Sequence, residues 1–272
     1  YSENIKLAHK LKDKYGIGTT LHNIGVILLW KGDYNESLDC FNCALEIFEE
    51  MDSKFWIGLT FNALGNLYSV QYEQDNALNY YTRSHSIRKE LGDKFGMGIP
   101  LLNIGCIYEE DGDYDTALKY YMRSLKISEE IGNKSLLGGS LNNIGSIYNY
   151  KFDYNKAVIY LEKSIEIHRE LGDSSATLLN ATINLFFSYK NLGKEYDIEV
   201  IETLIKKTRD LDFLIRFGLN YPIYQLLEDT SYLETAYTQV QEKADNLEPD
   251  VAAKFLSYPI PAAIVEEWEK VK

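Results

Sequence analysis

Shifted by 40 positions, residues 20–179 fall on themselves without a gap, and this period narrows the fold more than any other feature of the chain. The four windows are 20–59, 60–99, 100–139 and 140–179. Each reads as two helices. In the fourth, Leu141, Ile144, Gly145 and Tyr148 repeat at helical spacing, a turn follows at "KFDY", and Ala157, Val158, Leu161, Ser164, Ile165 and Ile167 form a second stripe. The second stripe closes on "ELGD" or "EIGN", where a glycine suits a helix C-terminus. One such pair cannot bury its apolar faces alone, so the period predicts stacked pairs sharing a continuous core.

Outside the windows the pattern thins. Residues 1–19 align with the second helix of a preceding pair, "LKDKYGIG" matching "MDSKFWIG", which implies that the array starts mid-repeat and that more lies upstream. Residues 180–212 keep a helix pair but carry Leu185 where the windows have glycine, and 213–246 suggest a further pair with Pro222 starting or kinking a helix. Residues 247–272 read as a capping segment, with a turn at Pro259 and Pro261 before a short amphipathic helix using Ile264, Val265 and Trp268. The whole is expected to be one continuous domain. Gly65, Gly105 and Gly145 are expected to face Ala77, Ala117 and Ala157, small against small, so that two antiparallel helices approach closely.

The residues Phe61, Leu64-Gly65, Tyr68, Ala77, Tyr81 and Ser84, and again Leu101, Ile104-Gly105, Tyr108, Ala117, Tyr121 and Ser124, resemble the tetratricopeptide repeat pattern. The resemblance implies an all-α fold, a right-handed α-solenoid of antiparallel helix pairs, acting as a scaffold that captures a partner segment in a concave groove. This sequence departs from the family in lacking the proline that closes each repeat and in its period of 40 rather than 34. The six extra residues are expected to lengthen the second helix and its connection, in "LGDKFGMG". That variant is similar to Pins-type spindle-orientation adaptors, bacterial Rap-type peptide sensors and repeat regions of microbial signalling proteins.

Several motifs that could carry chemistry dissolve into the repeat. "CFNC", Cys40 to Cys43, stands mid-helix in columns held elsewhere by Tyr80, Tyr120 and Tyr160 and by Arg83, Arg123 and Lys163, with no further zinc ligand nearby. Gly18, Gly58, Gly98 and Gly138 recur at the period, whereas a phosphate-binding loop is a once-per-chain device. His9, His22, His85 and His168 are dispersed, and the carboxylates at 109–113 enter a turn. No nucleophile–base pair stands apart from the repeat. The reading is therefore no enzyme, no cofactor and no metal.

The resemblance places the first helix of each repeat on the inside of the groove. The lining then holds His22 and Asn23, Asn62, Asn103, Asn142 and Asn143, with Asn66, Cys106 and Ser146 a turn further on and Trp30, Glu109, Glu110, Asn149 and Tyr150 at the far rim. An amide offers a donor and an acceptor together, matching one peptide unit of a ligand. The opposing reading is that these amides bond neighbouring helices or water. Lysine and arginine are absent from these positions, so an acidic ligand is disfavoured and a protein or peptide with basic and apolar residues is expected. The basic column Arg83, Arg123 and Lys163 is expected to pair with glutamates or face water. A net charge of −13 argues against nucleic acid and anionic membranes, and no apolar run is long enough to cross a bilayer. Three cysteines make no disulfide framework and suit the cytoplasm. Two further readings stay open: a ligand-gated peptide sensor that switches an attached effector, and association between copies through an apolar end of the array.

Overall fold

The computed structural model describes residues 13–172, 176–209 and 217–272, which contain fourteen helices and no strand. Helices α1 (Lys14–Lys31), α2 (Tyr34–Glu50), α3 (Lys54–Val70), α4 (Gln74–Glu90), α5 (Lys94–Glu110), α6 (Tyr114–Ile131), α7 (Lys134–Tyr150) and α8 (Tyr154–Glu170) follow the repeat. After them come α9 (Ala176–Asn191), α10 (Ile198–Arg209), α11 (Phe217–Leu227), α12 (Thr230–Asp245), α13 (Pro249–Ser257) and α14 (Pro259–Val271). The chain divides into two compact units, residues 1–104 and 105–272.

The first helix of each pair starts earlier than the sequence windows suggest. Residues 14–19, expected in a preceding second helix, are the opening turns of α1, and the "KFGMG" stretch opens α5 rather than extending α4. The reason is capping. Asp13, Asp93 and Asn133 accept hydrogen bonds from the backbone N–H of Gly16, Gly96 and Leu136 at 2.8, 2.9 and 3.1 Å, starting a helix at the next residue. The extra residues thus lengthen the first helix. Residues 1–12, 173–175 and 210–216, which complete four of the expected segments, lie outside the described residues.

In the first unit, α1 packs on α2 and α3 on α4. Their core holds Phe41, Ala44, Phe48, Ile57, Phe61, Leu64 and Leu67. The glycine column does not face the alanines. A Cβ on Gly25 would lie 2.6 Å from the Phe41 ring, and one on Gly65 would lie 2.5 Å from the ring of Tyr81. The glycine is a socket for the large residue sixteen positions on, which sits over the first helix. The small residue of the second helix serves a separate purpose, since Ser84 Oγ donates to the Gly58 carbonyl at 2.7 Å, fully buried. Arg83 faces water, as one of the two expected alternatives, with its guanidinium over the Phe61 ring at 3.9 Å.

The second unit repeats these devices. Gly105 holds the Tyr121 ring and Gly145 the Leu161 side chain, each so close that an added Cβ would collide with it. Ser164 donates to the Gly138 carbonyl at 2.8 Å, and Arg123 lies 5.2 Å from the Tyr120 ring centre. One core joins α8 to α9 through Ala157, Leu161, Ile165, Ala181 and Leu185; a second joins α9 to α10 and α11 through Leu179, Ile183, Ile201, Ile205 and Ile223. Leu185 is buried there, and residues 192–197 link α9 to α10. Pro222 lies inside α11. Pro259 and Pro261 do not form a turn ahead of the last helix; Pro259 is its first residue, where a missing N–H costs nothing. Ile264 is fully buried, and Trp268 stacks on Tyr237 of α12 at 5.4 Å. No helix among the described residues is long and apolar enough to cross a membrane.

Candidate functional site

In the first unit, Asn23 and Trp30 of α1 are exposed, Trp30 at 85 %. Their neighbour His22 is not a lining residue. It is buried, its ring lies 5.7 Å from Phe41 and 5.6 Å from Trp56, and its Nδ1 is 3.1 Å from the Thr60 hydroxyl of α3. Burial pushes its pKa down to about 4, so the imidazole is neutral at pH 7. Asn62, Asn66 and Asn103 are partly buried and bond one another. Asn103 Nδ2 donates to the side-chain oxygens of Asn66 at 3.2 Å and Asn62 at 3.4 Å. Tyr81 adds its hydroxyl to Asn66 at 2.8 Å. These amides tie α3 to α5 and keep only part of their capacity for a ligand.

In the second unit a polar cluster joins the end of α5 to α6 and α7, with Glu109 at its centre. The Tyr121 hydroxyl donates to Glu109 Oε2 at 2.5 Å and Ser146 Oγ to Oε1 at 3.3 Å. Cys106 Sγ is 3.4 Å from the same tyrosine hydroxyl. The tyrosine hydroxyl thus faces both the carboxylate and the thiol sulfur. Burial holds that thiol neutral, its pKa pushed up to about 12 with the Glu109 charge adding to the effect. Asn143 Nδ2 reaches Cys106 Sγ at 3.8 Å. The rings of Tyr114 and Tyr150 stack beside the carboxylate, 5.0 Å apart and 13° from parallel. Burial first, and then the charge of Glu109, raise the pKa of both phenols.

No lysine or arginine among the described residues forms an ion pair with Glu109. Desolvation therefore dominates: its pKa is pushed up to about 7 despite the two hydroxyl donors. Glu110, one residue on, is exposed.

The remaining residues of the expected lining divide. Asn142 is buried, donates to Asn143 Oδ1 at 3.3 Å, and its own Oδ1 meets no donor among the described residues. Asn149 is also buried, but both ends are used: Nδ2 donates to the Asn184 carbonyl at 2.9 Å and Oδ1 accepts from Ser188 at 2.6 Å. It ties α7 to α9. Tyr114 and Tyr121 are cluster members that the residue pattern places in the turn and the core. A signal for Tyr121 existed. Its column reads Phe41, Tyr81, Tyr121, Leu161, and a buried phenol needs an acceptor where phenylalanine or leucine does not. The glycine socket lets each ring cross the first helix so that its hydroxyl reaches Asn66 or Glu109.

Other candidates carry no such geometry. Cys40 is partly buried and Cys43 exposed on α2, both free thiols, and burial raises the Cys40 pKa, the reverse of a reactive cysteine. Among the described residues no group of three histidines, cysteines or carboxylates gathers around a metal-sized space.

Comparison with known proteins fits this architecture. The chain resembles the crystal structure of BtubC (BKLC) from P. vanneervenii, with TM-score 0.63 and 20% identity over 78% of this chain and 87% of that one. It resembles the apo form of RapI, with TM-score 0.66 and 16% identity over 93% and 99% of the two chains. It also resembles a Rap protein complexed with Competence and Sporulation Factor, with TM-score 0.63 and 14% identity over 94% and 77%. At such identities these likenesses speak for the fold. A sequence comparison with curated proteins gives no match. The tetratricopeptide repeat model matches residues 16–90, 70–130 and 96–170, more than half of the sequence, and the chain belongs to the tetratricopeptide repeat family.

Proposed function

We propose that this protein is a non-catalytic scaffold that captures a segment of a partner protein along its first-helix face, as the interaction or regulatory part of a signalling protein. The observation that carries the reading is Glu109, a carboxylate on that face with no cation of its own among the described residues. A desolvated carboxylate favours a ligand that brings the missing charge, so the segment carries basic as well as apolar residues. Within the second unit the asparagines of the first helices add backbone hydrogen bonds, Asn142 and Asn143 with more free capacity than Asn149. The free cysteines suit a reducing cytoplasm.

The test is a pull-down comparing the wild type with an Asn62→Ala, Asn103→Ala, Asn142→Ala, Asn143→Ala variant whose helicity is checked by circular dichroism. Loss of the captured partners from a folded variant supports the reading; equal capture by both removes it.

A second reading, a ligand-gated sensor, draws on one contact in the second unit. The start of α14 lies against the turn between α5 and α6, where a Cβ on Gly112 would be 3.1 Å from Pro259. A ligand at Glu109, three residues away, sits beside a junction that it could open. Small-angle scattering with and without a captured peptide separates the readings, and an unchanged profile rules out the switch.

A further inference from the structure

The Glu109 cluster has a shape that selects among cations. Oε1 accepts from Ser146 and Oε2 from Tyr121, while a carboxylate oxygen has room for two donors. Each oxygen thus keeps one acceptor site, side by side, as a forked donor requires. Beside them lies the Tyr114–Tyr150 stack, both of whose phenols feel the same charge. The other groups near the carboxylate bring no positive charge: Cys106 and Glu110 on α5, Tyr114 and Tyr121 on α6, Tyr150 on α7. A planar guanidinium satisfies two oxygens at once and lies on an aromatic face. A lysine ammonium does neither as well and gives up a tighter hydration shell.

We propose that Glu109 with the Tyr114–Tyr150 pair is a guanidinium site that takes one arginine side chain of the captured segment. This rests on reading the chain as a segment-binding scaffold.

The test uses four pools of random nonapeptides, blocked at both ends, whose central residue is Arg, Lys, citrulline or Ala. Retention of the full chain on each pool is measured at pH 8, above the range in which Glu109 titrates. Citrulline keeps the planar shape without the charge, and lysine keeps the charge without the plane. The expected result is retention on the arginine pool about tenfold above each of the others, lost in Glu109→Gln. Tyr150→Leu leaves the carboxylate and removes one ring of the stack; it should cut the arginine excess about threefold, and it decides the matter if Glu109→Gln fails to fold. Equal retention of lysine and arginine, equal retention on all pools, or an arginine excess that survives Glu109→Gln overturns the guanidinium site while leaving the scaffold standing. If the wild type retains no pool, both readings fall.

Discussion

At the scale of single residues, two tyrosines link packing to the candidate site. Tyr81 and Tyr121 fill the place that Phe41 and Leu161 fill in other repeats, so the ring alone is enough for the core. What the phenol adds is a buried hydroxyl bonded to Asn66 in one unit and Glu109 in the other. Tyr121→Phe should keep the packing and lose one charge-assisted hydrogen bond, costing about 1.5–3 kcal/mol in denaturant unfolding at pH 8. Tyr81→Phe loses a neutral bond and should cost roughly 0.5–1.5 kcal/mol. Equal costs would mean that Glu109 is not the acceptor that matters.

Among the helices, the glycines differ by what stands over them, and α7 contains both kinds. A Cβ at Gly145 would lie 2.5 Å from Leu161, which is fully buried and has nowhere to move. At Gly139 a Cβ would meet nothing within 4 Å. Alanine raises helix propensity by about 1 kcal/mol at either site. Gly139→Ala should therefore stabilise by roughly 0.5–1 kcal/mol. Gly145→Ala should destabilise by about 1–3 kcal/mol, because overpacking a closed interface outweighs the propensity gain. Thermal melts of the two variants give opposite signs if the socket account holds. The ion pairs that close each helix pair, such as Lys14–Glu50 at 2.7 Å and Lys134–Glu170 at 2.8 Å, are exposed and contribute little by comparison.

For the molecule as a whole, His22 in the first unit and Glu109 in the second respond oppositely to pH. His22 in the first unit has its pKa lowered from 6.5 to about 4. Between those values the unfolded chain binds a proton that the folded chain refuses, so stability is lost as pH falls through that window. Glu109 in the second unit has its pKa raised from 4.5 to about 7. There the folded chain holds a proton that the unfolded chain releases, so stability is lost as pH rises from about 4.5 to 7. Thermal melts from pH 4 to pH 8 should show Glu109→Gln gaining on the wild type by a few °C toward pH 8, and His22→Leu gaining by a similar amount toward pH 4. Parallel curves for wild type and variant would refute the assignment of either group.

The 40-residue period determined the helix pairs and their turns, because apolar spacing within a helix is a local property of the chain, and the residue pattern inside the period pointed to the family. It also placed Glu109, Asn142, Asn143 and Tyr150 on the first helices. The phase of the helices was legible too, in Asp13, Asp93 and Asn133 as caps, but the glycines beside them read more strongly as a connection. Three things only the tertiary structure decided. Gly65 and Gly105 receive Tyr81 and Tyr121 rather than Ala77 and Ala117, since the opposing residue depends on how far antiparallel helices slide along each other. Asn149 is consumed by α9 while Asn142 keeps an unmet acceptor, since a side chain's partners come from a segment about forty residues away. Glu109 is a desolvated carboxylate beside two stacked rings and not a solvated turn residue, because burial is a property of the stack and not of the helix that carries it.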